Sequence, residues 1–73
     1  MMEITLKACR INAKMTQSDF AKAVEVSPAT VYNWEAGKTE PTLSQLRKIS
    51  EVTGIPMDYI AVGGSSFIVN NNS

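Results

Sequence analysis

The sequence predicts a small all-α fold of four or five short helices, followed by a short C-terminal tail. Three observations predict it: helix-capping residues recur along the chain, apolar residues between them repeat at helical spacing, and glycines stand where these segments end. A length of 73 residues is sufficient for one domain. We therefore expect residues 1–62 to form that domain and residues 63–73 to form a tail that is flexible or adds a strand.

The first two helices are predicted on either side of Thr16. The first runs from about residue 3 to residue 12, and its inward positions are Ile4, Leu6, Cys9 and Ala13. Thr16 and Asp19 have the spacing of a capping box, in which each side chain accepts a hydrogen bond from the other residue's backbone N–H. This pair predicts a second helix over Gln17–Val24.

Further caps and stops mark the later helices. Ser27 caps a third helix that Pro28 begins and that runs to about residue 36, where Gly37 is placed to end it in a left-handed conformation. Thr42 caps a fourth helix, which Gly54 ends. Its buried stripe is predicted to be Leu43, Leu46, Ile49 and Val52. A last short helix is predicted over residues 57–61.

The composition excludes several kinds of site. The chain has one cysteine, Cys9, and no histidine, so it cannot close an internal disulfide and lacks the usual zinc ligands. We expect no cofactor, metal, small-molecule ligand or membrane span, and a cytosolic location. An enzyme is disfavoured, because the sequence has no phosphate-binding glycine loop and no paired carboxylates at useful spacing.

Residues 17–36 carry the pattern on which the functional interpretation depends. Two short helices, each with its own cap, are joined there by about three residues. The small Ala21 lets two helix backbones approach closely at a steep crossing, as in a helix-turn-helix, whose second helix stands out to enter the DNA major groove. The inward positions of this unit are Phe20, Ala21, Val24, Val26, Val31 and Trp34.

Several short motifs, taken in order, are similar to those of one family. They are Leu6-Lys7-x-x-Arg10, Thr16-Gln17-x-x-Phe20-Ala21, Val26-Ser27-x-x-Thr30-Val31, Trp34-Glu35-x-Gly37-Lys38 and Pro41. Over about residues 4–60 the chain resembles the Cro and phage-repressor, or Xre-like, family of helix-turn-helix regulators. The resemblance implies a compact lambda-repressor-like DNA-binding domain without a cofactor. It also implies a transcriptional regulator, usually a repressor, encoded by a bacterium or a phage. Such a regulator binds a palindromic double-stranded DNA operator as a homodimer in the bacterial cytosol or nucleoid.

The resemblance further implies roles for individual residues. Base contacts are expected from Pro28, Ala29, Thr30 and Asn33. Asn33 is the best polar reader, because its amide can pair with adenine in a bidentate way, whereas Pro28 and Ala29 offer apolar contact, for instance to a thymine methyl. Contacts to the DNA backbone are expected from Gln17, Ser27, Tyr32, Lys38 and Thr39. Tyr32 is equally well explained as a half-buried tyrosine on the helix surface.

Other positions are expected to be structural. The resemblance implies an ion pair between Arg10 and Glu35, which would join the first helix to the end of the third. Lys14 and Glu25 stand where the family commonly has glycine, and both positions are expected to need a left-handed backbone. Glu25 and Glu40 also place negative charge near the presumed DNA side.

The balance of charge keeps a second interpretation open. Seven Lys and Arg residues cancel seven Asp and Glu residues, whereas DNA-binding domains are usually basic. The alternative is a protein-interaction module with the same fold, such as an antitoxin or anti-repressor. The homodimer contacts are expected to be Met57, Tyr59, Ile60, Phe67 and Ile68, although a disordered tail is an equally good interpretation of the last two.

Overall fold

The computed structural model describes residues 3–61. Over these residues the chain forms α-helices, a single 3₁₀ turn and a pair of very short strands, so the predicted helical class is confirmed. In chain order the elements are β1 (Ile4–Thr5), α1 (Leu6–Asn12), α2 (Gln17–Val24), α3 (Pro28–Glu35), α4 (Leu43–Thr53), a 3₁₀ helix (Met57–Tyr59) and β2 (Ile60–Ala61). No helix in this range is long and apolar enough to cross a membrane. The predicted tail lies outside the described residues.

The two ends of the described domain pair with each other, which the helix predictions did not anticipate. Ile4 and Thr5 form a strand rather than the first turn of a helix, and they lie opposite Ile60 and Ala61 in parallel register. Thr5 has an extended backbone, and its side chain accepts a hydrogen bond from the Ala8 backbone N–H, so α1 begins only after it. The last helix predicted over residues 57–61 is present only as a 3₁₀ helix over Met57–Tyr59, because Ile60 and Ala61 belong to β2.

The caps predicted for the inner helices are present. Thr16 and Asp19 form the capping box that begins α2, and Thr42 and Gln45 form the one that begins α4. Ser27 caps α3, with Pro28 at its first position. These side chains satisfy backbone N–H groups that a helix start leaves without partners. The first residues of α2, α3 and α4 follow from these caps.

Within residues 3–61, four residues adopt the left-handed backbone. Gly37 follows the C-terminal cap of α3 with φ of +77°, and Gly54 ends α4 with φ of +78°, as predicted. The two non-glycine residues are Lys14, with φ of 62°, and Glu25, with φ of 66°. Both departures from glycine are therefore confirmed as left-handed positions, where a side chain adds strain.

The core lies where all four helices and β2 meet. The buried apolar residues are Leu6, Cys9, Phe20, Ala21, Val24, Val31, Trp34, Leu46, Ile49, Ile55 and Ile60. Leu43 was predicted to be inward, but 61% of it is exposed because it is the first residue of α4 and lies beyond the packed part of that helix. Ala13 and Val52 are only partly buried.

Candidate nucleic-acid interface

The corner between α2 and α3 holds α3 against the body along one side only. Glu25 turns the chain through its left-handed backbone, and the Val26 N–H donates to the Ala21 carbonyl at 2.9 Å. Val31 and Trp34 of α3 are buried in the same core cluster as Ala21. The opposite side of α3 therefore faces solvent.

The predicted base-reading residues lie on that solvent side or at its margin. Pro28 and Ala29 are exposed, and Thr30 and Asn33 are half-buried. Tyr32 lies among them and is 54% exposed, which agrees with both interpretations of this residue. We call these five residues the recognition face. Contacts of Pro28, Ala29, Thr30 and Asn33 with bases, and of Tyr32 with the DNA backbone, stay predictions.

The hydroxyl groups of Ser27 and Thr30 are paired with each other. Ser27 Oγ lies 2.9 Å from Thr30 Oγ1, and it also accepts a hydrogen bond from the Thr30 backbone N–H at 3.2 Å. Both hydroxyls are thus engaged at the start of α3. Whichever hydroxyl accepts within this pair keeps its own proton, so one O–H remains to donate to a ligand.

In the described part of the chain, the side chain of Asn33 is free to bind a ligand, whereas its backbone carbonyl already accepts hydrogen bonds. Within residues 3–61 its side-chain amide has no hydrogen-bond partner in the protein, so both its donors and its acceptor are open to a ligand. Its carbonyl accepts from the backbone N–H groups of Lys38 at 2.9 Å and Thr39 at 3.4 Å. The loop that carries the predicted backbone contacts Lys38 and Thr39 is thereby fixed to the last turn of α3.

Lys38 is held over the recognition face by an aromatic ring. Its Nζ atom lies 5.8 Å from the centroid of the Tyr32 ring, within the range of a cation–π contact. The contact places the ammonium group beside the exposed ring of Tyr32. Glu25 and Glu40 are exposed in the neighbouring turn and loop, so the charge in this region is mixed rather than basic.

Arg10 and Glu35 form an ion pair that fixes α1 to the end of α3. Arg10 Nε donates to Glu35 Oε2 at 2.7 Å, and Arg10 Nη2 donates to Oε1 at 3.2 Å. Burial of Glu35 opposes its charged form, but hydrogen bonds from Arg10 and Gln17 and the positive charges of Arg10 and Lys7 outweigh it. Together they hold the pKa of this carboxyl below its ordinary value.

Gln17 takes part in the same network, which sequence reasoning missed. Its Nε2 atom donates to Glu35 Oε1 at 3.0 Å. The two residues are eighteen positions apart on different helices, so no local spacing links them. The sequence places both residues in the helix-turn-helix unit, Gln17 as a phosphate contact and Glu35 as a structural residue, and this shared location was the only sign of a contact between them.

The expected dimer contacts differ in where they lie. Met57 is half-buried and Tyr59 is 42% exposed. Ile60, in contrast, is 0% exposed, because β2 places it in the core opposite Ile4. Its assignment as a dimer contact is therefore corrected, since a side chain enclosed by its own chain cannot reach a partner. Phe67 and Ile68 lie outside the described residues.

Cys9 and the acidic residues form no reactive or metal-binding group. Cys9 is buried in the core, and desolvation raises the pKa of its thiol to about 11, so the thiolate required of a nucleophile is scarce near neutral pH. Within residues 3–61, no three His, Cys, Asp or Glu side chains lie close enough together to hold a metal ion.

The comparison with known families agrees with this arrangement. A family model described as helix-turn-helix matches residues 6–60, which is well over half of the chain. The chain belongs to the Cro/C1-type, Xre-like helix-turn-helix family. The match begins at α1 and ends at the first residue of β2, so it covers the whole network and the recognition face.

Several relatives are named as HTH-type transcriptional regulators. DicA of Escherichia coli is 39% identical over 74% of this chain and 40% of its own length. YqaE of Bacillus subtilis is 30% identical over 90% of the chain and 57% of its own length. A regulator of Haemophilus influenzae is 39% identical over 63% of the chain and 19% of its own length. The chain thus spans less than two thirds of the length of each of these relatives. No solved structure matches the chain.

Proposed function

We propose that this chain regulates transcription by binding a specific double-stranded DNA operator through α3, acting as a homodimer and as a repressor. The observation that carries the proposal is the recognition face of α3, which lies on the outward side of a helix-turn-helix corner. It bears the side-chain amide of Asn33, which has no hydrogen-bond partner within residues 3–61. Membership of a family of DNA-binding regulators and the names of its relatives support the same conclusion.

Sequence readout is assigned to the recognition face. The Asn33 amide offers a donor and an acceptor, the pair needed for a bidentate contact with the N6 and N7 atoms of adenine. Pro28 and Ala29, one turn nearer the start of α3, present only apolar surface, which suits thymine methyl groups. The hydroxyl of Thr30 is hydrogen-bonded to Ser27, so the methyl group of Thr30 is the part of its side chain more available to a base.

Contacts with the DNA backbone are assigned to the two sides of that face. Gln17 is the first residue of α2, so its side chain lies beside backbone N–H groups that have no partner within the helix. Such N–H groups at a helix start bind phosphate. At the other side, the candidates are Ser27, Tyr32, Lys38 and Thr39. Lys38 already lies over the Tyr32 ring, so its charge is directed before any DNA arrives.

Dimerisation is proposed because the chain offers little long-range attraction for DNA. Its net charge is zero, so affinity per subunit rests on short-range contacts, and two subunits on a palindrome double those contacts. Met57 and Tyr59 form the described part of the proposed dimer surface, while Ile60 is excluded from it. A dimer bound across a promoter represses by occlusion and needs no ligand.

Selection of bound duplexes from a random pool tests the proposal. The expected result is a palindromic site whose half-sites are about one helical turn apart and contain an adenine dependent on Asn33. Affinity for the selected site should fall steeply as salt is raised. Recovery of an unsymmetrical site would contradict the dimer, and failure to enrich any sequence would contradict operator binding.

A protein-interaction role is the second candidate, and it is favoured by the zero net charge and the apolar start of the recognition face. In this case the chain would be an antitoxin or anti-repressor that binds another protein. No measurable binding to random duplex at low salt would support it, because a DNA-binding domain retains non-specific affinity under those conditions.

A further inference from the structure

We propose that Glu35 is a positioning residue for DNA binding, which holds the amide of Gln17 in the orientation that meets a phosphate. This inference rests on the proposed function and assigns the Arg10–Glu35 pair a task beyond joining α1 to α3. The geometry that supports it is the chain of contacts from Arg10 through Glu35 to Gln17, which ends at the start of α2.

The contact fixes which end of the amide faces Glu35. An amide can place either its nitrogen or its oxygen against a neighbour, and Glu35 selects the nitrogen, because the amide oxygen would face a carboxylate that has only acceptors. The pKa of Glu35 lies below its ordinary value, so the carboxylate stays charged at neutral pH and the selection persists. One N–H of Gln17 is thus bound, and the second N–H on the same nitrogen remains to donate elsewhere.

The contact with Glu35 also lowers the conformational entropy that the Gln17 side chain loses when DNA binds. A glutamine side chain has three rotatable bonds, and ordering it on binding costs conformational entropy. Gln17 is half-buried and already bonded to Glu35 at 3.0 Å in the free protein, so most of that ordering is complete before the phosphate arrives.

Arg10 makes this arrangement compatible with an anion nearby. An unpaired carboxylate beside a phosphate would repel it, but Arg10 donates two hydrogen bonds to Glu35 and a third to the Met15 carbonyl. The guanidinium is thereby fixed and neutralises Glu35. Gln17 then presents an N–H toward the phosphate from a network without net charge.

The first test uses the free protein. In spectra of ¹⁵N-labelled chain, the two side-chain amide protons of Gln17 should be well separated in shift, and in Glu35→Ala they should collapse toward the values of an exposed glutamine. Gln45, held instead by the Thr42 backbone N–H, provides an internal control that should not change. Unchanged Gln17 resonances in Glu35→Ala would overturn the proposal.

The second test is a double-mutant cycle on affinity for the selected operator. Glu35→Ala should weaken binding about tenfold in the parent chain and about twofold or less in Gln17→Ala, because coupled residues lose their effect together. Glu51→Ala, which removes an exposed carboxylate from α4, corrects for the change in net charge. Glu35→Asp replaces Glu35→Ala if the latter does not fold.

The outcomes separate this inference from the proposed function. If Glu35→Ala lowers operator affinity equally in the parent chain and in Gln17→Ala, Glu35 is only structural. The proposal of operator binding is not affected by that result. Absence of any DNA binding by the parent chain would overturn the proposed function and this role of Glu35 together.

Discussion

Ile4 lies directly opposite Ile60 in a parallel pair of strands, so the first and last described elements of the domain are joined. Ile60 is completely enclosed, and Ile4 packs against the same core. A domain this short buries a modest share of its surface, so each enclosed residue carries a large part of its stability. The strand pair therefore closes the core beside the start of α1, which Thr5 of β1 caps.

We expect Ile60→Ala to destabilise the domain strongly. Removing a buried isoleucine side chain beyond its β-carbon costs about 2–5 kcal/mol, through lost transfer free energy and the cavity left behind. Urea unfolding followed by circular dichroism measures the change. The matched control is Ile11→Ala, at an isoleucine that is 54% exposed, where we expect a change within about 0.5 kcal/mol. Similar losses at both positions would contradict the placement of Ile60 in the core.

The strand pair also marks where prediction from the sequence failed. The caps of α2, α3 and α4 are local signals, read from residues three positions apart, and these helices were predicted nearly to the residue. Pairing of Ile4 with Ile60 depends on contacts between opposite ends of the domain, which no local pattern reports. Helical periodicity at residues 3–5 and 60–61 was therefore misleading.

In the candidate site, too, features within one helix were predicted from the sequence, and contacts between helices were not. The residues of the recognition face share one helix, and helical spacing places them away from the buried side of α3, with Thr30 and Asn33 at the margin. The bond between Gln17 and Glu35 joins two helices, and its discovery required the crossing of α2 and α3 in three dimensions. Exposure of Leu43 was missed for a related reason, because a helix pattern does not reveal where the packed part of the helix begins.

Lys14→Gly and Glu25→Gly should each stabilise the protein. Both residues adopt left-handed backbones, where glycine avoids a strain of roughly 1 kcal/mol, partly offset by the greater freedom of glycine in the unfolded chain. We expect a net gain of up to about 0.5 kcal/mol from each, seen as a raised Tm in thermal unfolding. Lys22→Gly, at an exposed position inside α2, should instead destabilise the protein by about 1 kcal/mol. A loss at Lys14 or Glu25 would contradict the left-handed assignment.

The ion pair of Glu35 should make stability depend on acid pH. Its pKa is lower in the folded protein than the ordinary value of 4.5, so the contribution is complete above that value and is lost as pH falls through the folded pKa. We expect the difference in free energy of unfolding between the parent chain and Glu35→Gln to be constant near neutral pH and to shrink below about pH 4.5. The other carboxyl groups are common to both proteins, so their titration largely cancels. A difference that grows toward acid pH would contradict the lowered pKa.

Asn33 and Lys38 should affect DNA binding in different ways. Asn33→Ala should cost about 1–3 kcal/mol on the selected operator and remove discrimination at one base pair, because a bidentate base contact is lost. Lys38→Gln should weaken binding to all duplexes alike and reduce the slope of log affinity against log salt by about one, because one phosphate contact is lost. Asn12→Ala, at an exposed asparagine at the end of α1, is the control and should change neither quantity. A sequence-independent loss in Asn33→Ala would place Asn33 on the DNA backbone instead.

Tyr59→Arg should separate the proposed dimer without unfolding the subunit. Tyr59 is 42% exposed in the 3₁₀ helix, so a long charged side chain is tolerated in the isolated chain but would leave a charge without a partner in an interface formed around this residue. Sedimentation should then show a monomer at concentrations where the parent chain is a dimer, and operator affinity should fall while each half-site retains its sequence preference. Leu43→Arg introduces the same charge at an exposed leucine at the start of α4 and should leave the sedimentation unchanged. A dimer that persists in Tyr59→Arg would place the interface elsewhere on the chain, and a parent chain that is monomeric even on DNA would end the dimer proposal.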